Sequence, residues 1–301
     1  MKEMLFIMNP CAGVKKANRY LADILSLFNE HDYKITVFMT TQQGDAVHLA
    51  AENAAGKDLI VCCGGDGTFN ETVSGVLQSG LDIPIGYIPA GSTNDFAASL
   101  GIPTNVMKAA RAIMDGQPER FDIGSFAGRS FSYVASFGVF TKTSYLTPQP
   151  MKNALGHTAY ILEGIQELSQ IKTEHIRVEL PDEIIEGDFL FGAISNSTSV
   201  GGILTLDPEQ VNMRDGEFEL LLIRPPEEIG ELSDCIRSLQ KQTYDSRMVT
   251  FRKCSHLKIY ASAATEWTLD GEHEPGHTEI DFHVLPKAIQ VILGGQKEKK
   301  K

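Results

Sequence analysis

The stretch LIVCCGGDGTFNETVSGVL, residues 59–77, joins an apolar run, a glycine-rich turn and a helical pattern. The run LIVCC is short and apolar, which predicts a buried strand. TFNE at 68–71 fits the T-x-x-E capping box, which starts a helix without any ligand. The capping box leaves Gly64, Gly65 and Asp66 unexplained, because a turn alone needs fewer glycines. The stretch therefore predicts a strand–loop–helix unit whose loop closely approaches a ligand.

Similar units recur through the first 122 residues, where strand and helix patterns alternate. This alternation predicts right-handed βαβ units and a mostly parallel sheet with helices on its faces, that is, a three-layer α/β/α domain. The polar loops NPCAG, GGDGT and PAGSTND each follow a predicted strand, at the edge where such sheets bind ligands. Glycines and helix N-termini at this edge favour phosphate, so we expect a nucleotide site. The alternative is a pair of purely structural turns.

Two common nucleotide motifs are absent from the chain. There is no G-x-x-x-x-G-K-[ST], and GGDGTFN carries Asn70 where G-x-G-x-x-G needs a third small residue. A P-loop and a conventional dinucleotide fold are therefore disfavoured.

Strand patterns dominate after Asp122, interrupted by two helical patterns near 151–170 and 226–243. Alternation of apolar and polar residues, as in GEFELLLI, predicts a mostly antiparallel second domain, a β-sandwich. We expect an α/β domain over 1–122, completed by a final strand over 287–295, and a β-rich domain over 123–286. Residues 296–301 form a basic tail, and the cleft between the domains is the expected site.

Composition limits the classes of partner. The 301-residue chain has a formal net charge of −12, which argues against general nucleic-acid binding. Its five cysteines are odd in number and form no C-x-x-C, as expected in a reducing compartment. A signal peptide and an apolar run long enough to span a membrane are both missing from the sequence, so we expect a cytoplasmic protein that meets any lipid from the surface.

GGDGTFNE followed by PAGSTNDFA resembles the diacylglycerol kinase catalytic domain family, in its bacterial soluble lipid-kinase branch. Further elements in family order extend the resemblance along most of the chain: NPCAG at 9–13, Thr40, FDIG at 121–124, NMRDGEFEL at 212–220 and LDGE at 269–272. GGDGT alone is less specific, because NAD kinases and phosphofructokinases carry similar sequences.

The resemblance implies ATP as the phosphoryl donor and Mg²⁺ as its cofactor. The implied nucleotide-binding residues are Asn9, Gly13, Thr40, Gly65, Asp66, Gly67, Thr68, Asn70, Glu71 and Ser92. Asp66, Asp95 and Asp122 would hold the catalytic Mg²⁺, and Glu272 would be the general base.

A second, structural Mg²⁺ is implied near Asp215, with Glu217 and Asn212 close by in sequence. The implied reaction is transfer of the γ-phosphoryl group to a lipid hydroxyl, with diacylglycerol yielding phosphatidic acid. The lipid partner would be met by transient peripheral binding at the membrane, and a homodimer stays open.

The chain departs from the family pattern at two positions. Ala98 stands where an arginine is usual, and Arg214 where the structural metal site often has the first of two aspartates. Two other classes therefore stay open: an NAD-type or other small-metabolite kinase, and a non-catalytic nucleotide- or lipid-binding regulator. His273 and His277 are expected to be solvated loop residues rather than zinc ligands, and Trp267 to be a packing residue.

Overall fold

The computed structural model describes residues 1–13, 17–92, 94–138, 172–200 and 204–294. The chain divides into two compact units, one of Met1–Ile123 with Pro286–Lys301 and one of Gly124–Leu285. The sequence-based boundaries, 122/123 and 286/287, differ from these by one residue. The helical pattern near 151–170 and the tail 296–301 lie outside the described residues.

The first unit contains a parallel sheet in the order β2-β1-β3-β4-β18. Its strands are β1 (Lys2–Met8), β2 (Tyr33–Met39), β3 (Leu59–Gly64), β4 (Ile85–Pro89) and the last part of β18 (Glu279–Leu293). The strand β5 (Gln117–Phe126), most of which belongs to this unit, pairs with β18. The final strand thus adds to the first sheet, where Val291 lies opposite Ile85.

Helices cover both faces of this sheet. They are α1 (Leu21–Glu30), preceded by a 3-10 turn at Ala17–Tyr20, α2 (Asp45–Asn53), α3 (Asp66–Ser79), α4 (Asp95–Ser99) and α5 (Val106–Asp115). On one face α1 and α5 bury Phe28 and Ile113 against alternate strand residues such as Phe6. On the other face Phe69 of α3 contacts the ring of Tyr87 at 4.4 Å. The predicted three-layer α/β/α architecture is confirmed.

The described part of the second unit contains mostly antiparallel strands. They are β6 (Arg129–Phe131), β7 (Val134–Gly138), β8 (Glu174–Glu179), β9 (Ile184–Phe189), β10 (Phe191–Ser195), β11 (Ser199–Val200), β12 (Leu204–Thr205), β13 (Phe218–Ile223), β14 (Val249–Cys254), β15 (His256–Tyr260), β16 (Trp267–Leu269) and β17 (Glu272–Glu274). In the same described part, the helix α6 (Ile229–Lys241) falls within the predicted segment 226–243.

Two layers of strands pack face to face in this unit. One has the order β14-β13-β10-β7-β16-β17, and the other contains β15, β8, β9 and the first part of β18. Apolar side chains from both layers share one core, in which Trp267 contacts Phe126 and Phe137 at 4.8 Å each. The predicted β-sandwich class and the packing role of Trp267 are confirmed.

Candidate functional site

Four loops of the first unit meet at one edge of its sheet because they follow the carboxyl ends of parallel strands. Backbone hydrogen bonds continue the sheet into these loops: the amide of Asn9 donates to the carbonyl of Cys63 at 2.9 Å, and that of Ala90 to Gly64 at 2.7 Å. The amide of Thr40 likewise donates to the carbonyl of Met8 at 2.9 Å. The structure thus brings the predicted loops together at the expected edge.

Glycines allow these loops to touch each other. A Cβ on Gly91 would lie 2.7 Å from the Cα of Gly65, and one on Gly13 would lie 2.5 Å from the carbonyl oxygen of Ala90. Gly13 also has a positive φ of 53°, which side chains disfavour. Several glycines that the sequence assigned to ligand approach are thus required by contact between loops.

The capping-box prediction for 68–71 is wrong. Helix α3 begins at Asp66 with Gly65 as its N-cap, so Thr68 lies inside the first turn. The Oγ1 of Thr68 accepts a hydrogen bond from the Nδ2 of Asn9 at 3.1 Å. The Oδ1 of Asn9 in turn accepts from the amide of Cys11 at 2.9 Å. Thr68 and Asn9 therefore connect two of the loops.

Glu71 stabilises a different helix from its own. Its Oε1 accepts from the amide of Gly44 at 2.8 Å, and its Oε2 from the amide of Ala46 at 3.2 Å. These amides lie at the N-terminus of α2, where backbone donors lack intrahelical partners. Glu71 thereby supplies the cap that the side chain of α2's own N-cap residue, a glycine, cannot provide.

Asp66 has an equivalent role at the short helix α4. Its Oδ2 accepts from the amide of Asp95 at 2.9 Å, and its Oδ1 accepts from the Tyr87 hydroxyl at 3.4 Å. Burial raises the pKa of Asp66 to about 6, and the charge of Asp95 adds to this shift, while the bond from the Asp95 amide opposes it. Two acidic side chains are therefore close together at the loop edge.

The loop after β4 is held by hydrogen bonds between its own residues. The side chain of Asn94 accepts from the amide of Gly91 and donates to its carbonyl, both at 2.9 Å. Asn94 has a φ of 56°, and Asp95 is buried as the first residue of α4. Ser92 in this loop is exposed, whereas Thr40 and Asn70 are buried. Thr93 lies outside the described residues.

Asp122 is fully buried in β5, and its Oδ1 accepts from the amide of Lys287 at 2.6 Å. Lys287 has a φ of 53°. This bond joins β5 to the start of the final segment within the first unit. It gives Asp122 a structural contact that the family resemblance did not imply.

In the second unit, LDGE forms a tight hairpin. Leu269 pairs with Glu272, leaving Asp270 and Gly271 as a two-residue turn with φ values of 51° and 83°. These positive values are typical of a type I′ turn, in which Asp-Gly is favoured. The carboxylate of Asp270 accepts from the amides of Ser132, Tyr133 and Val134 at 2.6 to 3.0 Å. Asp270 therefore anchors the turn to the segment before β7.

Glu272 forms an ion pair with Arg129, whose Nη2 lies 2.7 Å from Glu272 Oε2. The Nη1 of Arg129 lies 2.7 Å from the Oε2 of Glu274, and Glu274 Oε1 lies 2.8 Å from His277 Nε2. Arg129 and Glu274 lie outside the family motifs, so no sequence pattern predicted their roles. The expectation that His277 is a solvated loop residue is wrong, because its ring bonds to Glu274 and packs edge-on against Phe126.

The predicted structural metal site contains a cation from the protein. The Nζ of Lys253 lies 3.4 Å from Asp215 Oδ2, and the amide of Glu217 donates to Asp215 Oδ1 at 3.1 Å. Asn212 accepts from the amide of Arg214 at 3.2 Å. Within the described ranges, no group of three or more His, Cys, Asp or Glu side chains is arranged to hold a metal ion. The side chains near Asp215 therefore do not fit a closed metal site as its ligands.

Two family models match successive parts of the chain. Residues 3–126 match the diacylglycerol kinase catalytic domain, and residues 133–293 match the YegS C-terminal NAD kinase beta sandwich-like domain. Among the parts of the chain that the structure describes, no helix is long and apolar enough to cross a membrane.

Curated relatives and solved structures agree with these matches. The chain is 32% identical to a diacylglycerol kinase of Bacillus subtilis strain 168, covering 99% of this chain and 98% of that protein. It is 30% identical to a diacylglycerol kinase of Staphylococcus saprophyticus, covering 97% and 95%. A crystal structure of a diacylglycerol kinase from Bacillus anthracis superimposes with a TM-score of 0.73 at 21% identity, covering 97% of both chains. That likeness shows a shared fold.

Proposed function

The chain belongs to the diacylglycerol kinase family, and from this premise we propose that it is an ATP-dependent lipid kinase. The proposed acceptor is the free hydroxyl of diacylglycerol, which would become phosphatidic acid. The observation that carries the proposal is the acidic pair Asp66 and Asp95 at the edge where the glycine loops meet. The names of the relatives at 30% and 32% identity support the choice of lipid.

The acidic pair suits a hard divalent cation. The charge of Asp95 raises the cost of ionising Asp66, which a bound dication would relieve. Mg²⁺ usually takes one or two carboxylates and completes its octahedron with phosphate oxygens and water. Bound there, Mg²⁺ would neutralise charge on the phosphates of ATP. Asp66 and Asp95 would hold it. Asp122 would not be a third ligand, because no three acidic side chains of the described residues are arranged around one metal ion.

The loops of the first unit would bind and orient the nucleotide. The amides around Gly65 and Gly67 begin α3, and helix N-termini attract phosphate. The 3.1 Å hydrogen bond between Asn9 and Thr68 holds the loop after β1 against the first turn of α3. Because phosphoryl transfer depends on positioning and charge neutralisation, rigid loops of this kind are what the reaction requires.

Glu272 is the proposed general base. In the proposed reaction the lipid oxygen attacks the γ-phosphorus, the bond from that phosphorus to the β,γ-bridging oxygen breaks, and ADP leaves. The hydroxyl proton passes to the carboxylate of Glu272. The Arg129 guanidinium, 2.7 Å from Glu272 Oε2, holds that carboxylate in one orientation.

Radiolabelled ATP tests the proposal. The protein is incubated with Mg²⁺ and vesicles containing diacylglycerol, and separately with NAD. We expect labelled phosphatidic acid from wild type, and a loss of about a thousandfold or more in kcat for both Asp66→Asn and Glu272→Gln. Arg252→Met, a substitution at an ion pair with Glu183 in the second unit, serves as the matched control with wild-type activity.

Each outcome has a definite meaning. Transfer to NAD but not to lipid would overturn the lipid-kinase assignment. Nucleotide binding without turnover on diacylglycerol would favour a non-catalytic nucleotide- or lipid-binding regulator. Full activity of Glu272→Gln on the lipid would remove Glu272 as the base while leaving the kinase assignment intact.

A further inference from the structure

Arg129, the first residue of β6, bridges two carboxylates with the two arms of one guanidinium. Nη2 lies 2.7 Å from Glu272 Oε2, and Nη1 lies 2.7 Å from Glu274 Oε2. A guanidinium is planar and its donors have fixed directions, so binding both acids sets the position of each. Lysine could not do this, because its ammonium acts as a point charge.

The second carboxylate is fixed in turn. Glu274 Oε1 lies 2.8 Å from His277 Nε2, and the side chain of Glu274 is only 10% exposed. That of Glu272 is 18% exposed and that of Arg129 is 36% exposed. Side-chain contacts thus link, in this order, His277, Glu274, Arg129 and Glu272, and the last of these is the residue proposed as the base.

The backbone that carries Glu272 is rigid. In β17, Glu272 and Glu274 lie two residues apart and therefore on the same face of the strand. They pair with Leu269 and Trp267, both buried in the core of the second unit. The turn between the strands is fixed by the three bonds to Asp270. The backbone position of Glu272 is therefore set, and the ion pair with Arg129 restricts the orientation of its side chain.

We propose that Arg129 is a positioning residue for Glu272, with Glu274 and His277 holding Arg129 in place. This inference rests on the proposed function, because it assigns a role relative to the proposed base. Arg129 orients the carboxylate, so that the carboxylate can accept the proton of the lipid hydroxyl. An orientation error of a few tenths of an ångström at such a residue lowers the rate without altering nucleotide binding.

The charges that face Glu272 predict a specific pH effect. The cation of Arg129 favours the ionised carboxylate, whereas the anion of Glu274, on the same guanidinium, disfavours it. His277 faces Glu274, and His273 is exposed on the same strand. Loss of Arg129 therefore moves the acidic limb of the pH–rate profile to higher pH. Loss of the Glu274 charge moves the limb to lower pH or leaves it unchanged.

The experiment measures kcat against pH at saturating Mg·ATP for Arg129→Met, Arg129→Lys, Glu274→Gln and wild type. At saturating Mg·ATP the nucleotide site stays occupied. The acidic limb of the kcat profile then reflects groups that ionise in the bound complex. We expect Arg129→Met to lower kcat at pH 7 at least tenfold and to move the acidic limb upward by about one pH unit. KM for ATP should change less than twofold. Arg129→Lys, which keeps the positive charge, should restore part of kcat and return the acidic limb most of the way to its wild-type position.

Arg252→Met is the matched control. Arg252 also pairs with a glutamate, Glu183, at 2.7 and 2.9 Å, and it belongs to the same unit. Its substitution should leave kcat and the limb unchanged. If Arg129→Met fails to fold, Arg129→Lys and Glu274→Gln still test the inference through kcat and the direction of the shift.

The outcomes separate this inference from the function on which it rests. If Glu272→Gln abolishes transfer but the Arg129 variants keep wild-type kcat and an unmoved acidic limb, the positioning role is overturned and the proposed base survives. If Glu272→Gln retains activity, the base assignment is what fails. A fall in kcat for Arg129→Met equal to that for Arg252→Met would mean that the Arg129 effect is only structural.

Discussion

The carboxylate of Asp66 accepts a hydrogen bond of 2.9 Å from the backbone amide of Asp95. The acidic residue of one glycine loop thus caps the helix that follows the other loop. The same side chain therefore has a structural bond and a proposed part in binding Mg²⁺. Because asparagine can keep the structural bond but not the charge, the two roles can be separated by experiment.

Asp66→Asn should abolish kinase activity without lowering the stability of the protein. The amide oxygen can still accept from Asp95, and the cost of burying a charge disappears. Since the pKa of Asp66 is raised to about 6, ionisation costs the folded state stability as pH rises towards and through 6. At pH 7.5 we expect the free energy of unfolding to rise by about 3 kcal/mol, and the difference from wild type to vanish below about pH 4.

Denaturant unfolding at several pH values measures this effect. Asp66→Ala is the companion variant, since it removes both the charge and the acceptor. Equal destabilisation by Asn and Ala at pH 7.5 would show that the charge itself stabilises the loops.

Glu71→Ala should lower stability rather than nucleotide affinity. Its two oxygens accept from the amides of Gly44 and Ala46 at the start of α2. Loss of a cap of this kind costs about 1–2 kcal/mol, and Glu71→Gln, which keeps one acceptor, should cost about half as much. Unfolding curves and the KM for ATP provide the comparison. A raised KM with unchanged stability would instead place Glu71 in the nucleotide site.

Gly91→Ala should disturb the loop edge. Its Cβ would lie 2.7 Å from the Cα of Gly65 and 2.8 Å from the Oδ1 of Asn94, so the loops must separate. We expect a loss of about 2 kcal/mol in unfolding free energy and weaker ATP binding. Gly230 in α6 has open space around its Cα, so Gly230→Ala should be neutral or stabilising. Calorimetric binding and unfolding of both variants check this contrast, and unchanged ATP affinity in Gly91→Ala would contradict it.

Glu219→Gln should stabilise the protein at alkaline pH. Glu219 is fully buried in β13, neither carboxylate oxygen has a hydrogen-bond partner among the described residues, and the Nζ of Lys253 is 3.9 Å away. Burial raises the pKa of Glu219 to about 8. A raised pKa means that stability is highest at low pH and falls as pH rises through 8.

Thermal unfolding from pH 5 to 9.5 tests this prediction. The gain of Glu219→Gln over wild type should grow as pH rises from 5 to about 8 and level off at about 5 kcal/mol near pH 9. Glu217→Gln on the neighbouring, less buried position is the control. A gain that does not depend on pH would mean that Glu219 remains neutral throughout this range.

The local pattern of the sequence was sufficient for the architecture. Alternating strands and helices, and glycine loops after each strand, depend on residues close together in the chain, and such short-range regularities indicate βαβ units reliably. They also placed Asp66 and Asp95 at one edge of the sheet, because parallel strands end on the same side. The two-residue turn at Asp270 and Gly271 is formed by a residue pair with the same kind of local preference.

The partners of the functional side chains depended on the tertiary structure. Glu71 caps a helix 25 to 27 residues earlier, Asp66 caps one 29 residues later, and Arg129 binds Glu272 across 143 residues. Local propensity favoured a capping box at 68–71, but the packing of α2 against α3 gave Glu71 a different set of amides. A sequence pattern states which groups can donate or accept, whereas only the packed chain decides which buried groups meet, because each must find a partner among those that folding brings within reach.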